Sequence, residues 1–192
     1  MKAIKLLIDT DIGGDIDDAL CVAMALNSPA VDLVGLTTVY AGNVWRTEHA
    51  RSMLAAWGRT DIPVRRGAER PLLGRYRHDA GHEPLENQAV PFIIRACRDH
   101  PGLTVLAIGP LTNIALAVHL APDIVKTTHF VLMGGMTGAA QPEWNILCDP
   151  EAACAVLDSC KPRMVGLDIT ERCRLTREQA EDLTRGDDRR LA

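Results

Sequence analysis

A doubly wound α/β fold, with a mostly parallel sheet flanked by helices, is what this sequence predicts, and three observations carry the prediction. Six short apolar, often β-branched runs alternate with segments of helical period, the pattern of strand–helix–strand units joined by right-handed crossovers. The first junction is a compact acidic loop bearing two glycines, and in an open parallel sheet such a loop lies at the carboxyl ends of the strands, where ligands bind. The 192 residues, 47% hydrophobic and 24% charged, make a soluble chain able to bury one substantial core. No repeat, low-complexity block or interdomain linker divides it, so a single domain over residues 1–192 is expected.

In chain order, the run from Ile4 to Ile8 reads as a buried strand, and Asp17 to Leu26 as a helix with Ala19, Leu20, Ala23 and Leu26 at helical spacing. Between them Asp9, Asp11, Asp15, Asp17 and Asp18 crowd five carboxylates around Gly13 and Gly14. Carboxylates so close repel one another unless a cation or raised pKa values relieve them, and a hard ion such as Ca²⁺ prefers clustered oxygen ligands. The plainer reading is an acidic N-cap supplied by Asp15 or Asp17, which needs one carboxylate rather than five.

Leu33 to Val39 is the second strand, and a helix runs from about Val44 to Trp57. Asn43, in the loop between, carries a donor and an acceptor. It can read a hydroxyl or a metal-bound water, and spacing alone favours a capping role. Ile62 to Val64 is a short third strand, followed by a long loop from Arg65 to Glu86 that holds His78 and His82, in the manner of a lid or binding segment. After a helix over Asn87 to Arg98 and a strand over Leu103 to Ile108, the Gly109-Pro110 turn lets a strand-end carbonyl point into the cleft, where it can ligate Ca²⁺. The next helix carries Ile114, Leu116, Ala117 and Leu120 on its apolar face.

The fifth strand spans His129 to Met133 and ends at Gly134-Gly135. Glu143 and Asn145, two apart, would project together from an extended segment and offer a carboxylate and an amide to one ligand. Asp149-Pro150-Glu151 is a helix N-cap signature for a helix over Asp149 to Ser159. A strand over Arg163 to Leu167, a solvent-facing helix over Thr176 to Thr184 and a polar ending follow.

Composition narrows the function classes. The formal net charge of −4, with basic runs no longer than Arg65-Arg66 and Arg189-Arg190, gives no footprint for nucleic acid. No apolar segment reaches the length of a membrane span and no signal-peptide pattern opens the chain, so a cytoplasmic location is expected. Six scattered cysteines without a C-x-x-C pair read as mostly buried thiols rather than as disulfides or zinc ligands.

In order, the chain shows D-T-D-x-G with D-D-A-L, T-T-V-Y-A-G-N, G-P-L-T-N-I-A, L-M-G-G, E-W-N-I-x-x-D-P-E-A-A and M-V-G-L-D-I-T. Together and collinear from Lys5 to about Thr170, they resemble the inosine–uridine nucleoside hydrolase family. The resemblance implies a nucleoside hydrolase-like fold and a Ca²⁺-dependent enzyme that splits the N-glycosidic bond of a ribonucleoside into ribose and free base. By motif, Asp11 would bind the metal and take a proton from its water, Asp18 would be a further ligand, and Ile108 would give its backbone carbonyl. Asp17, Asn43 and Asn145 would hold ribose hydroxyls, with Glu143 near the 5′-hydroxyl and Met133 against the sugar.

The sequence also departs from the family pattern. The acidic loop exceeds the common D-x-D-P-G-x-D-D form, which makes Asp15 an extra carboxylate available to the same ion, and Tyr40-Ala41-Gly42-Asn43 carries one additional residue. The loop from Met133 to Glu143 is shorter than usual, with no match for a family asparagine that contacts ribose. No downstream aspartate and histidine match those of the family's C-terminal portion. A domain truncated there, weak in hydrolysis and prone to self-associate as a homo-oligomer through uncovered apolar sheet surface, is therefore expected. Two other readings compete. One is a non-catalytic ribose- or nucleoside-binding module; the other is a phosphohydrolase with Asp9 as nucleophile and Asp11 as acid, disfavoured by the lack of a phosphate-binding lysine at a later strand end.

Overall fold

The computed structural model describes residues 3–74, 86–138 and 141–184. Six strands form one sheet: β1 (Ile4–Thr10), β2 (Val31–Thr38), β3 (Val64–Arg66), β4 (Thr104–Ala107), β5 (His129–Met133) and β6 (Arg163–Val165). Every pairing is parallel, and the order β3-β2-β1-β4-β5-β6 is that of a Rossmann-type doubly wound sheet. The predicted fold class holds. The chain leaves β1 toward one edge and returns at β4 toward the other, so a crevice opens where the carboxyl ends of β1 and β4 diverge.

Helices α1 (Asp17–Asn27) and α2 (Asn43–Ala56) cover one face of the sheet. There Leu6, Ile8, Leu33 and Leu36 pack against Val22, Ala25, Ala50 and Leu54. On the other face α3 (Ala89–Asp99), α4 (Thr112–Leu120) and α6 (Pro150–Cys160) bury Val90, Ile93, Ile114, Val118 and Val156 against Leu7, Val105, Phe130 and Leu132. Each such side chain, fully buried, contributes roughly 1.5–3 kcal/mol of transfer free energy. A register shift between β1 and β2 makes the two cores compatible. Leu6 pairs with Leu33 but Leu7 with Gly35, so Val34 is the extra residue of a bulge and Leu33 and Leu36 fall on the same face. Gly35 is needed there, since a Cβ would overlap the Phe92 ring.

The structure differs from the sequence reading in several places. Strand β1 runs on through Asp9 and Thr10, so the acidic loop starts at Asp11. Strand β3 begins where the third apolar run ends, because β2 pairs with Val64, Arg65 and Arg66; two arginines on an edge strand suit its partly solvated position. A 3-10 turn over Pro122–Lys126 and the short helices α5 (Trp144–Cys148) and α7 (Leu167–Thr170) occupy stretches that show no sustained period. The last helix, α8 (Arg177–Thr184), is present. Among the described residues, no helix is long and apolar enough to cross a membrane.

Candidate active site

At the crevice, β1 gives way to a turn that carries Asp11 upward and then to the first turn of α1, which presents Asp17 and Asp18. The alternative reading of an acidic side-chain cap does not hold: Ile16 is the N-cap residue, and the Asp15 carboxylate accepts instead from the neighbouring Ile16 amide at 2.8 Å. The carboxylates of Asp17 and Asp18 are thus left to face the cleft and the helix dipole. Thr10 ties the turn to the helix. Its hydroxyl donates to Asp18 Oδ1 and accepts from the Ile12 amide at 3.0 Å.

The opposite wall comes from the far half of the sheet. Glu143 and Asn145 do not form the expected extended pair, because the backbone turns into α5 immediately after Glu143. Glu143 is the cap of that helix. Its carboxylate accepts from the Asn145 amide at 2.9 Å, the Ile146 amide at 3.2 Å and, across the loop, the Gly135 amide at 3.0 Å. Asn145 sends Nδ2 to the carbonyls of Ile108 at 3.0 Å and Met133 at 3.2 Å, joining the ends of β4 and β5 and leaving its Oδ1 for a ligand. A carbonyl has two lone pairs, so Ile108 can still accept from or ligate a second group.

These walls enclose a cleft of about 510 Å³. Asp11, Asp15, Asp17, Asp18, Ile108, Met133, Glu143 and Asn145 all line it. Asn43 does not. It is fully buried, with Nδ2 donating to the Thr38 carbonyl at 3.0 Å and the Ala68 carbonyl at 3.2 Å, and the capping position belongs to Gly42. Asn43 therefore ties the end of β2 to the loop after β3, and it does not cap α2. His78 and His82 lie outside the described residues.

Burial, with repulsion from neighbouring carboxylates, raises two of these acids, Asp11 and Asp18. The Asp11 carboxyl is pushed up to about 6 by burial, held back by the Arg46 guanidinium. The Asp18 carboxyl is pushed up to about 7 by burial and then by Asp11, against the hydrogen bond from Thr10. Both shifts mark a place where positive charge is wanted. The donor types fit a hard cation: carboxylate oxygens from Asp11 and Asp18 with a backbone carbonyl at Ile108. Among the described residues no three acidic, imidazole or thiol side chains form a finished metal cage, so an ion here would complete its shell with the carbonyl and water.

Asp9 has a different role. It is fully buried inside β1, where its Oδ1 accepts from the Thr37 hydroxyl and from Asn113 Nδ2 at 2.9 Å. Asn113 also reaches the Thr38 carbonyl at 3.0 Å and accepts from the Ala68 amide at 2.9 Å, so it knits three strand ends together. Asp9 does not line the cleft, and this burial overturns the reading of it as a phosphohydrolase nucleophile.

Sequence reasoning missed Arg46 and Tyr40. Both line the cleft. Arg46, 9% exposed, donates through Nη1 to the carbonyls of Asp11 and Ile12 and through Nε to the Ala41 carbonyl at 3.0 Å. Its guanidinium lies 5.2 Å from the centroid of the Tyr40 ring, and Tyr40 holds a left-handed backbone with φ +83° that costs a non-glycine residue about 1–3 kcal/mol. The lengthened acidic loop and the extra residue before Asn43 thus meet in space. The only signal in the sequence was that both depart from the family pattern.

Fold and site define a Rossmann-type α/β protein with an acidic, oxygen-lined cleft at the switch point of its sheet. The chain belongs to the inosine–uridine preferring nucleoside hydrolase family, whose sequence profile matches residues 6–191. It is 38% identical to "Probable uridine nucleosidase 2" of Arabidopsis thaliana, over 93% of this chain and 64% of that protein. It is also 38% identical to a non-specific ribonucleoside hydrolase of Klebsiella pneumoniae, over 90% of this chain and 64% of that protein. The chain spans somewhat less than two thirds of the length of these curated relatives. Among solved structures it resembles a plant nucleoside hydrolase with a TM-score of 0.85 and 33% identity, covering 98% of this chain and 68% of that one. An inosine–guanosine nucleoside hydrolase aligns with the same TM-score at 27% identity, covering 97% of this chain and 69% of the other.

Proposed function

We propose that the cleft binds a ribonucleoside and cleaves its N-glycosidic bond with water, giving ribose and free base, with Ca²⁺ as the cofactor. The observation that carries this reading is the convergence of Asp11, Asp17, Asp18, the Ile108 carbonyl, Glu143 and Asn145 on one cleft in a chain of this family. A bound Ca²⁺ would be held by Asp11, Asp18 and the Ile108 carbonyl, with Asp15, which lines the same cleft, as an added ligand, and would supply a water of lowered pKa. Asp11 would take the proton of the attacking water as general base.

As the bond to the base stretches, positive charge grows on the sugar, and the carboxylates of Asp11 and Asp17, which line the cleft, would stabilise it. Asp17 and the Asn145 Oδ1 accept from ribose hydroxyls. Glu143, already fixed by three backbone amides, meets the 5′-hydroxyl with a carboxylate whose orientation is set before binding. Met133 packs on the sugar. Asn43 would act only indirectly, through the β2 end that it anchors. The test is base release from inosine, uridine and cytidine side by side, with metal content measured on the same sample. Activity lost with chelation and in Asp11→Asn supports the reading; saturable nucleoside binding without base release would make the cleft a binding module instead.

A further inference from the structure

The turn that carries Asp11 is held from outside by the first turn of α2. Arg46 Nη1 grips two successive carbonyls, those of Asp11 and Ile12, while Nε grips Ala41, so one guanidinium bridges the turn after β1 and the turn before α2. Beside it the Trp45 ring comes close against Gly13, whose lack of a side chain lets the ring approach; a Cβ at Gly13 would overlap it. The Tyr40 ring backs the guanidinium at 5.2 Å. The arginine is nine-tenths buried, yet its bonds go to main-chain carbonyls rather than to the carboxylates around it. A fork spent on backbone fixes geometry as well as charge.

We propose that Arg46 is a positioning residue: it locks the Asp11–Gly14 turn and thereby holds the Asp11 carboxylate toward the cleft. The catalytic consequence rests on the proposed nucleoside hydrolysis; the mechanical one does not. The experiment compares the full chain with Arg46→Met and Arg46→Lys by amide hydrogen exchange, Ca²⁺ titration calorimetry, and kcat and KM for inosine and uridine. Arg46→Met is expected to speed exchange over residues 9–18 tenfold or more while β4 and β5 keep their protection. It also weakens Ca²⁺ binding, and lowers kcat at least tenfold with KM changed less than threefold. Arg46→Lys keeps the charge but presents no fork, so it stays closer to the methionine variant than to the wild type. Should Arg46→Met fail to fold, the exchange pattern of Arg46→Lys decides. Unchanged exchange over residues 9–18, an equal rise throughout the sheet, or full recovery by lysine would overturn the proposal. If the wild type releases no base, the functional reading fails by itself, and exchange still decides whether Arg46 locks the turn.

Discussion

Asp9, inside β1, and Asp11, just past its end, are two residues apart and live in different settings: one is fully buried with Oδ2 unpartnered, the other opens on a cleft. Burial pushes the Asp9 carboxyl up to about 7, against its bonds from Thr37 and Asn113. The folded protein therefore holds this proton more tightly than the unfolded chain does. Its contribution to stability is complete below about pH 4 and is lost as the pH rises through 7, by an amount on the order of 2–4 kcal/mol. Urea midpoints of the metal-free protein at pH 5 and pH 8 should show this fall, and Asp9→Asn, uncharged at both, should flatten part of it. An identical fall in wild type and variant would remove Asp9 as the cause. Asn145→Ala should weaken ribonucleoside binding by about 1–3 kcal/mol. Glu143→Ala should do so too, but its carboxylate caps α5, so it also loses about 0.5–2 kcal/mol of stability. Calorimetry with inosine and its 2′-deoxy analogue, set beside denaturation curves, separates the two effects. The acidic cluster was legible because five carboxylates in ten residues have few structural uses. Arg46 was not, since one arginine in the first turn of a helix reads as a solvated residue until the turn it grips is brought beside it.

Elements with a sustained period could be read from the sequence, and those set by partners could not. The strand at His129–Met133 and the helix beginning at Asp149-Pro150 carry their own signals: alternating burial in the first, and in the second a cap whose carboxylate accepts from the Ala152 amide at 3.0 Å. By contrast α5 is five residues long and exists because Glu143 accepts from its first amides, so only the folded loop reveals it. The bulge in β2 is equally hidden, since V-D-L-V-G-L-T-T looks like continuous strand. Its consequence is testable. Gly35→Ala should cost roughly 1–3 kcal/mol, because the new methyl meets the Phe92 ring and core overpacking has few exits. Phe92→Leu loses packing by itself but should recover part of the Gly35→Ala loss in the double variant. A double-mutant cycle with no coupling would place the glycine requirement elsewhere.

The cleft is a place where both halves of the molecule must be in register. Asp11, Asp17 and Asp18 come from the turn after β1 and from α1 on one side of the switch point; Ile108, Met133 and Asn145 come from the residue after β4, the end of β5 and α5 on the other, linked by two hydrogen bonds from one amide. A ligand spanning that line binds the folded sheet and has no comparable site in the unfolded chain. Its affinity must then appear as stability, at about 2.7 kcal/mol when the free ligand is 100 times its Kd. Ca²⁺ added to chelator-treated protein should therefore raise the melting temperature, and more at pH 8 than at pH 5. The raised carboxyls of Asp11 and Asp18 are ionised at the higher pH and the ion relieves their repulsion, whereas at pH 5 protons compete for the same oxygens. Asp18→Ala should abolish most of the Ca²⁺-dependent rise while leaving the metal-free melting temperature unchanged or higher, because it also removes a buried charge. Thermal scans with Ca²⁺ and with chelator, at both pH values, check the sign. A rise that is larger at pH 5, or undiminished in Asp18→Ala, would place the ion somewhere other than this cleft.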